Sequence, residues 1–285
     1  MKKFIVFILF ALLNLTFASD PITIDSLFKK QIGLRSVTNL SFLTTGNPNT
    51  YNTYPYLSIS GNPVIWSDTK RLGLEQSFIY TIVPKFDVIT TFGGSYARRE
   101  YQSFFTGEYF HDDRIDFDAW WIGFIYTGDS IGSLIPQISL QSAIIQKEEA
   151  ADEQKNFYVK SQNLEVKFKG YSDPAIYSVF LGYGYNQKRK FNIAQIKYGD
   201  SVYFGGYLSI VLSPKITLDI GVKQGFQTEQ KINGVKSTNL RSIPTINFGS
   251  TYSFDIDTAL SFGASFGGGS QAPDSIFGIS LWQKF

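Results

Sequence analysis

The stretch IDFDAWWIGFIYTG (115–128) sets Ile115, Phe117, Trp121 and Ile125 on one parity and, with the residue before it, Arg114, Asp116 and Asp118 on the other. Successive side chains of a strand point to opposite faces, so the spacing predicts a strand with one apolar face and one charged face. The same alternation recurs in both directions. In NLEVKFKG (163–170), Leu164, Val166 and Phe168 oppose Glu165, Lys167 and Lys169, and in ITLDIGVK (216–223), Ile216, Leu218, Ile220 and Val222 oppose Asp219 and Lys223. ALSFGASFG (259–267) opposes Leu260, Phe262 and Phe266 to serines and glycines. The closing SIFGISLWQKF (275–285) places Phe277, Ile279, Leu281 and Phe285 opposite Ile276, Gly278, Ser280, Trp282 and Lys284.

Amphipathic strands also build soluble sandwiches, so the connectors carry the choice of architecture. Short turns are expected at Pro84-Lys85, 128–131, 170–174, 213–215 and 255–257. Longer polar links are expected at 99–112, 147–156, 187–200, 228–238 and 269–274. Short and long connectors alternate, as in an up-and-down transmembrane barrel with tight turns at one rim and loops at the other. Counting back from Phe285 gives eleven strands from about Arg71, and an even number needs one more. Either QIGLRSVTNLSFL (31–43) or NTYPYLSIS (52–60) could supply it. The expectation is an all-β antiparallel barrel of about twelve strands, with ten or fourteen also allowed.

The first residues, MKKFIVFILFALLNLTFASD, carry two lysines, an apolar run and Thr16 and Ala18 at the small positions of a cleavage site. They predict a signal peptide over 1–18, a leader or plug helix over 19–32 and the barrel over 33–285. Removing Lys2 and Lys3 takes the basic residues from 26 to 24, against 24 acidic ones. A near-neutral chain suggests no nucleic-acid partner. There is no cysteine to staple an exported fold, and beyond the leader no apolar run reaches the roughly 20 residues of a spanning helix. Aromatic residues make up 16% of the chain, and Tyr80, Tyr126, Tyr183, Tyr185, Tyr252 and Phe254 lie near strand ends, where rings meet lipid headgroups.

The polar parity supplies the functional candidates. Arg71, Glu75, Arg114, Asp116, Asp118, Glu165, Lys167, Asp219, Lys223 and Arg241 would line a lumen, either as a weakly selective passage or as self-paired filling. The single histidine, His111, reads as a solvated residue of a long polar loop rather than a catalytic base, although nearby aspartates could hold calcium. No cofactor, no transition metal and no enzymatic activity are expected. FGGGS (266–270) leads to no helix or lysine-serine pair and is not a phosphate loop.

YGDSVYFGGYLSIVLSPKITLDIGV (198–222), the preceding Tyr183, Gly184 and Tyr185, and GASFGGGSQAPDSIFGISLWQKF (263–285) resemble the outer-membrane transporter-like family named for phenol-degradation meta-pathway proteins. The pattern is also similar to barrels that export functional amyloid subunits. The resemblance implies passive transport of small solutes, with hydrophobic or aromatic compounds as candidates, across the outer membrane of a Gram-negative cell, and supplies no catalytic residue. Alternatives are a surface-interaction barrel with a blocked lumen and a polypeptide exporter. Lipids, solutes and the barrel-assembly machinery are the implied partners. Phe277, Ile279, Leu281 and Phe285 would form the assembly signal.

Overall fold

A computed structural model describes residues 32–45, 64–103, 107–150, 153–268 and 275–285. The expected signal peptide, leader and the 52–60 segment lie outside the described residues. The strands are β1 (Gly33–Thr45), β2 (Val64–Val83), β3 (Phe86–Ser103), β4 (Tyr109–Thr127), β5 (Leu134–Ala150), β6 (Glu153–Phe157), β7 (Ser161–Ser172), β8 (Ala175–Asn186), β9 (Arg189–Lys190), β10 (Gln195–Lys197), β11 (Ser201–Ser213), β12 (Ile216–Gln227), β13 (Lys231–Ile232), β14 (Val235–Lys236), β15 (Arg241–Ser253), β16 (Thr258–Gly267) and β17 (Ser275–Lys284). Twelve of them form one closed antiparallel barrel, in the order β4-β3-β2-β1-β17-β16-β15-β12-β11-β8-β7-β5, with β5 returning to β4. The closing seam runs from Arg35↔Lys284 to Thr44↔Ser275, and the Phe285 amide donates to the Leu34 carbonyl at 2.8 Å. Closure leaves no open edge, the condition a sheet must meet in hydrocarbon.

Faces follow the expected parity over most of the barrel. Phe277, Ile279, Leu218, Phe248 and Phe262 are exposed on the outside, while Arg71, Glu75, Thr91 and Ile276 are buried within. The opening stretch is an exception. Phe117 pairs with Gly94 and Ala119 with Gly93, so Asp118 is an extra residue without a counterpart on β3. This bulge inverts the parity: Ile115 and Phe117 face outward, but beyond it Trp120 and Phe124 do so. Trp121 is 4% exposed and shares the inner face with Asp116 and Asp118. Trp121 and Ile125 therefore do not belong to the apolar face that strict alternation assigned them.

The wall is uneven in height. β2 to β5 are 17 to 20 residues long, whereas β7, β8, β11, β12, β15, β16 and β17 have 10 to 13. About 9–11 tilted residues cross the hydrocarbon, so β2 to β5 continue well past it. This corrects the expected loop at 99–112: Gln102↔Tyr109 and Glu100↔His111 continue the ladder, and His111 lies in a strand. The five expected tight turns join strands at the rim that holds Gly33 and Phe285.

At the opposite rim the loops are folded. β14, β13, β10 and β9 form a separate small sheet, and Phe157, Phe191, Ala194, Ile196 and Ile232 form its apolar core. Arg189 anchors this cap, 1% exposed, donating to Glu148 at 3.1 Å and to Ser161 at 2.6 Å from within the barrel mouth. Its guanidinium also lies over the Tyr198 ring, 4.8 Å from the centroid.

Candidate functional site

Beneath the cap the described residues frame a lower and an upper chamber in the lumen. The lower one, about 530 Å³, is bounded by β1, β2, β11, β12, β15, β16 and β17. A cross-strand row, Asp219↔Gly249↔Gly263↔Gly278↔Ser41↔Gly73, runs along its inner face. Glycine leaves bare backbone there, and serines and Asn39 supply hydroxyl and amide groups to the same chamber. The upper chamber is narrow, about 70 Å³, and lies among Trp121, Gln146, Asn163, Tyr203, Lys223 and Gln227. That volume holds a few waters or one small ion, since a water needs roughly 10–15 Å³ by this kind of measure.

The residues expected to line the lumen lie in separate groups. Arg71 Nη2 is 2.5 Å from Asp118 Oδ2, and Ser95 donates to the same carboxylate at 3.0 Å. The Asp118 bulge places that carboxylate, so the irregularity in β4 has a polar purpose as well as a geometric one. Glu75, 7% exposed, accepts from Asn39 at 3.4 Å, and Asn39 in turn accepts from Ser280 at 3.1 Å. This chain of contacts ties β2 to the closing seam through β1. Arg114 lies 3.8 Å from Asp116, and Lys147 reaches the same Asp116 at 2.6 Å. Glu165 pairs with Lys167 at 3.0 Å, Ser209 donates to Asp219, and Arg241 is 3% exposed.

Several residues of this interior were not singled out from the sequence. Tyr203 donates to Asn163 at 3.1 Å and to Glu165 at 3.2 Å, while Lys223 Nζ sits 4.4 Å from the centroid of its ring. Tyr203 shares inward parity with Gly205, Tyr207 and Ser209, a signal the alternation of β11 contains. Trp121 was hidden by the bulge. Arg35 and Asp87 pair at 3.2 Å near the lower rim, where Thr81 donates to Asp87 at 2.7 Å. Arg189 and Glu148 come from segments far apart in sequence, and no spacing marks them as partners.

His111 is half-exposed, 3.8 Å from Glu100 and 3.7 Å from Asp113. Among the described residues, no three His, Asp or Glu side chains gather where they could hold a metal ion.

No protein-family model matches the chain, and no curated protein matches it by sequence. Solved structures do. An outer membrane channel from Pseudomonas putida F1 superposes with a TM-score of 0.67 at 9% identity, covering 94% of this chain and 100% of that one. The translocator domain of the autotransporter NalP from Neisseria meningitidis gives 0.56 at 14% identity, covering 92% and 91%. The monoaromatic hydrocarbon channel CymD gives 0.51 at 10% identity, covering 95% of each. At these identities the likeness concerns architecture: the chain has the fold of the outer-membrane β-barrels.

Proposed function

We propose that this chain is a passive outer-membrane channel for small solutes. The observation that carries the reading is the lower chamber: the closed barrel holds about 530 Å³ of space lined by glycines, serines and asparagines together with Glu75, Asp219 and several apolar side chains, open space of a kind that self-paired filling would have occupied. Its lining suits water-soluble molecules, while Trp282 and Tyr207 at the same chamber give an aromatic ring a surface to stack on. A channel for monoaromatic hydrocarbons among the similar structures supports that second class of solute. Membership of the phenol-pathway transporter-like family, cleavage of a signal peptide near Ala18 and release into the Gram-negative outer membrane complete the proposal.

The seam residues Phe277, Ile279, Leu281 and Phe285 fit a role in recognition by the barrel-assembly machinery, because they form the outward face of the last strand. Purified protein in a planar lipid bilayer should give discrete conductance steps. Bilayers that stay sealed, with protein shown to be inserted and folded by its heat-modifiable migration on a gel, would refute the channel.

A further inference from the structure

The charges of the lumen are sorted by chamber. Among the described residues lining the wide lower chamber, Glu75 and Asp219 are acidic and none is basic. Among those lining the narrow chamber below the cap, Lys223 carries the only charge. We propose that this narrow chamber selects small anions, chloride and short carboxylates, over cations. The inference rests on the channel reading above and adds a sign and a size to it.

Geometry decides which chamber governs. In a water-filled space of several hundred Å³, carboxylates act through a high dielectric and are screened. In a space that holds a few waters, the same charge acts at short range and with little solvent between. The passing ion therefore responds to Lys223 more than to Glu75 or Asp219. Lys223 lies over the Tyr203 ring, and an aromatic face attracts an ammonium.

The neighbouring charges leave the same excess. On β7, Glu165 is matched by Lys167 at 3.0 Å and also receives the Tyr203 hydroxyl. Counting Lys167 and Lys223 against Glu165 gives the group one surplus positive charge. β8 and β11 turn Phe180, Tyr203 and Tyr207 toward this region and add no charge. Within the β12–β15 pair, Arg241 lies opposite Gln227 at the upper end, and Asp219 lies lower, engaged by the Ser209 hydroxyl. Asn163 and Gln146 add amide groups, whose NH2 ends are donors that an anion can use beside the ammonium.

The test is the reversal potential of the full-length protein in planar bilayers under a potassium chloride gradient, repeated with potassium acetate. Wild-type protein should prefer chloride and acetate over potassium. Lys223→Gln should lower the anion-to-cation permeability ratio about threefold or more, and Lys223→Arg should keep it. Glu75→Gln, in the wide chamber, should leave it nearly unchanged and shows whether any lumen charge suffices. Cation preference in the wild type, an unmoved ratio in a folded Lys223→Gln protein, or a larger shift from Glu75→Gln would overturn the proposal. Absence of any conductance would instead remove the channel reading on which it depends.

Discussion

The tall wall of β2 to β5 and the shorter strands from β7 to β17 solve the same problem of closing a sheet in lipid by different means. The tall wall interrupts its ladder with bulges at Gly93/Gly94 and Trp120/Trp121 and fills its inner face with Arg71, Asp118, Trp121 and Gln141. From β15 through the seam to β1, pairing is continuous and the middle of the inner face is rich in glycine and serine. Side-chain mass and irregularity collect on one side of the bore, and open volume on the other. The cap stands on the shorter strands, where the folded 187–200 and 228–240 links replace the height that β2 to β5 reach by extension.

The largest expected effect falls on the cap. Arg189→Ala leaves Glu148 buried without its cation, a change that costs about 3–5 kcal/mol for buried pairs. Hydrogen exchange should then reveal the 187–200 segment opening while the barrel amides stay protected; unchanged protection there would show that the apolar core of the cap suffices alone. Replacing both partners, Arg189→Met with Glu148→Met, should restore most of the loss, since it leaves no lone buried charge.

The next effect tests the bulge. Trp120 faces outward, donating to Thr90 Oγ1 at 2.8 Å and stacking on Phe92, while Trp121 faces the lumen. Trp120→Arg should destabilise the folded barrel by about 2–4 kcal/mol in lipid vesicles, the cost of arginine on the lipid face near the midplane. Trp121→Arg should cost clearly less. Equal costs would mean that the parity does not invert.

A smaller effect belongs to the glycine row. Gly263→Leu adds a side chain to the inner face opposite Gly249 and Gly278, and single-channel conductance should fall by about a quarter to a half with little change in thermal stability. Conductance equal to that of the unmodified protein would place the limiting cross-section elsewhere.

The smallest involves Glu229, whose carboxyl is held below its usual range by hydrogen bonds from Lys231 and Lys236, at 2.8 and 3.1 Å. A depressed folded-state pKa contributes stability above the unfolded value near 4.3, and that contribution is lost as pH falls through the folded value. Exchange protection of the 231–236 hairpin should therefore weaken slightly below about pH 4, and Glu229→Gln should abolish that dependence.

Much of this architecture was legible because a barrel wall is built on a period of two. The closing strand, the tight turns and the parity of Lys223 or Asp219 need only local alternation and turn residues, whereas alternation leaves two segments as candidates for the first strand. Two kinds of feature escaped. The Asp118 bulge depends on which residues of β3 lie opposite β4, a property of pairing that a single strand cannot display. The cap joins residues such as Glu148, Phe157, Arg189 and Ile232, whose contacts are set by how loops fold over a closed mouth. The polar character of those links was visible, but it concealed an apolar core of five buried residues.

The row from Gly249 through Gly263 and Gly278 to Gly73 means that the lower bore is defined partly by missing atoms. A Cβ added at Gly263 or Gly278 would meet only ordinary contacts, whereas at Gly249 it would come within 3.0 Å of the Phe262 carbonyl oxygen. Gly263 and Gly278 are thus sites where a single codon change could set the calibre of the duct in small increments, independently of the cap and its electrostatics, without asking the strands to change number or register.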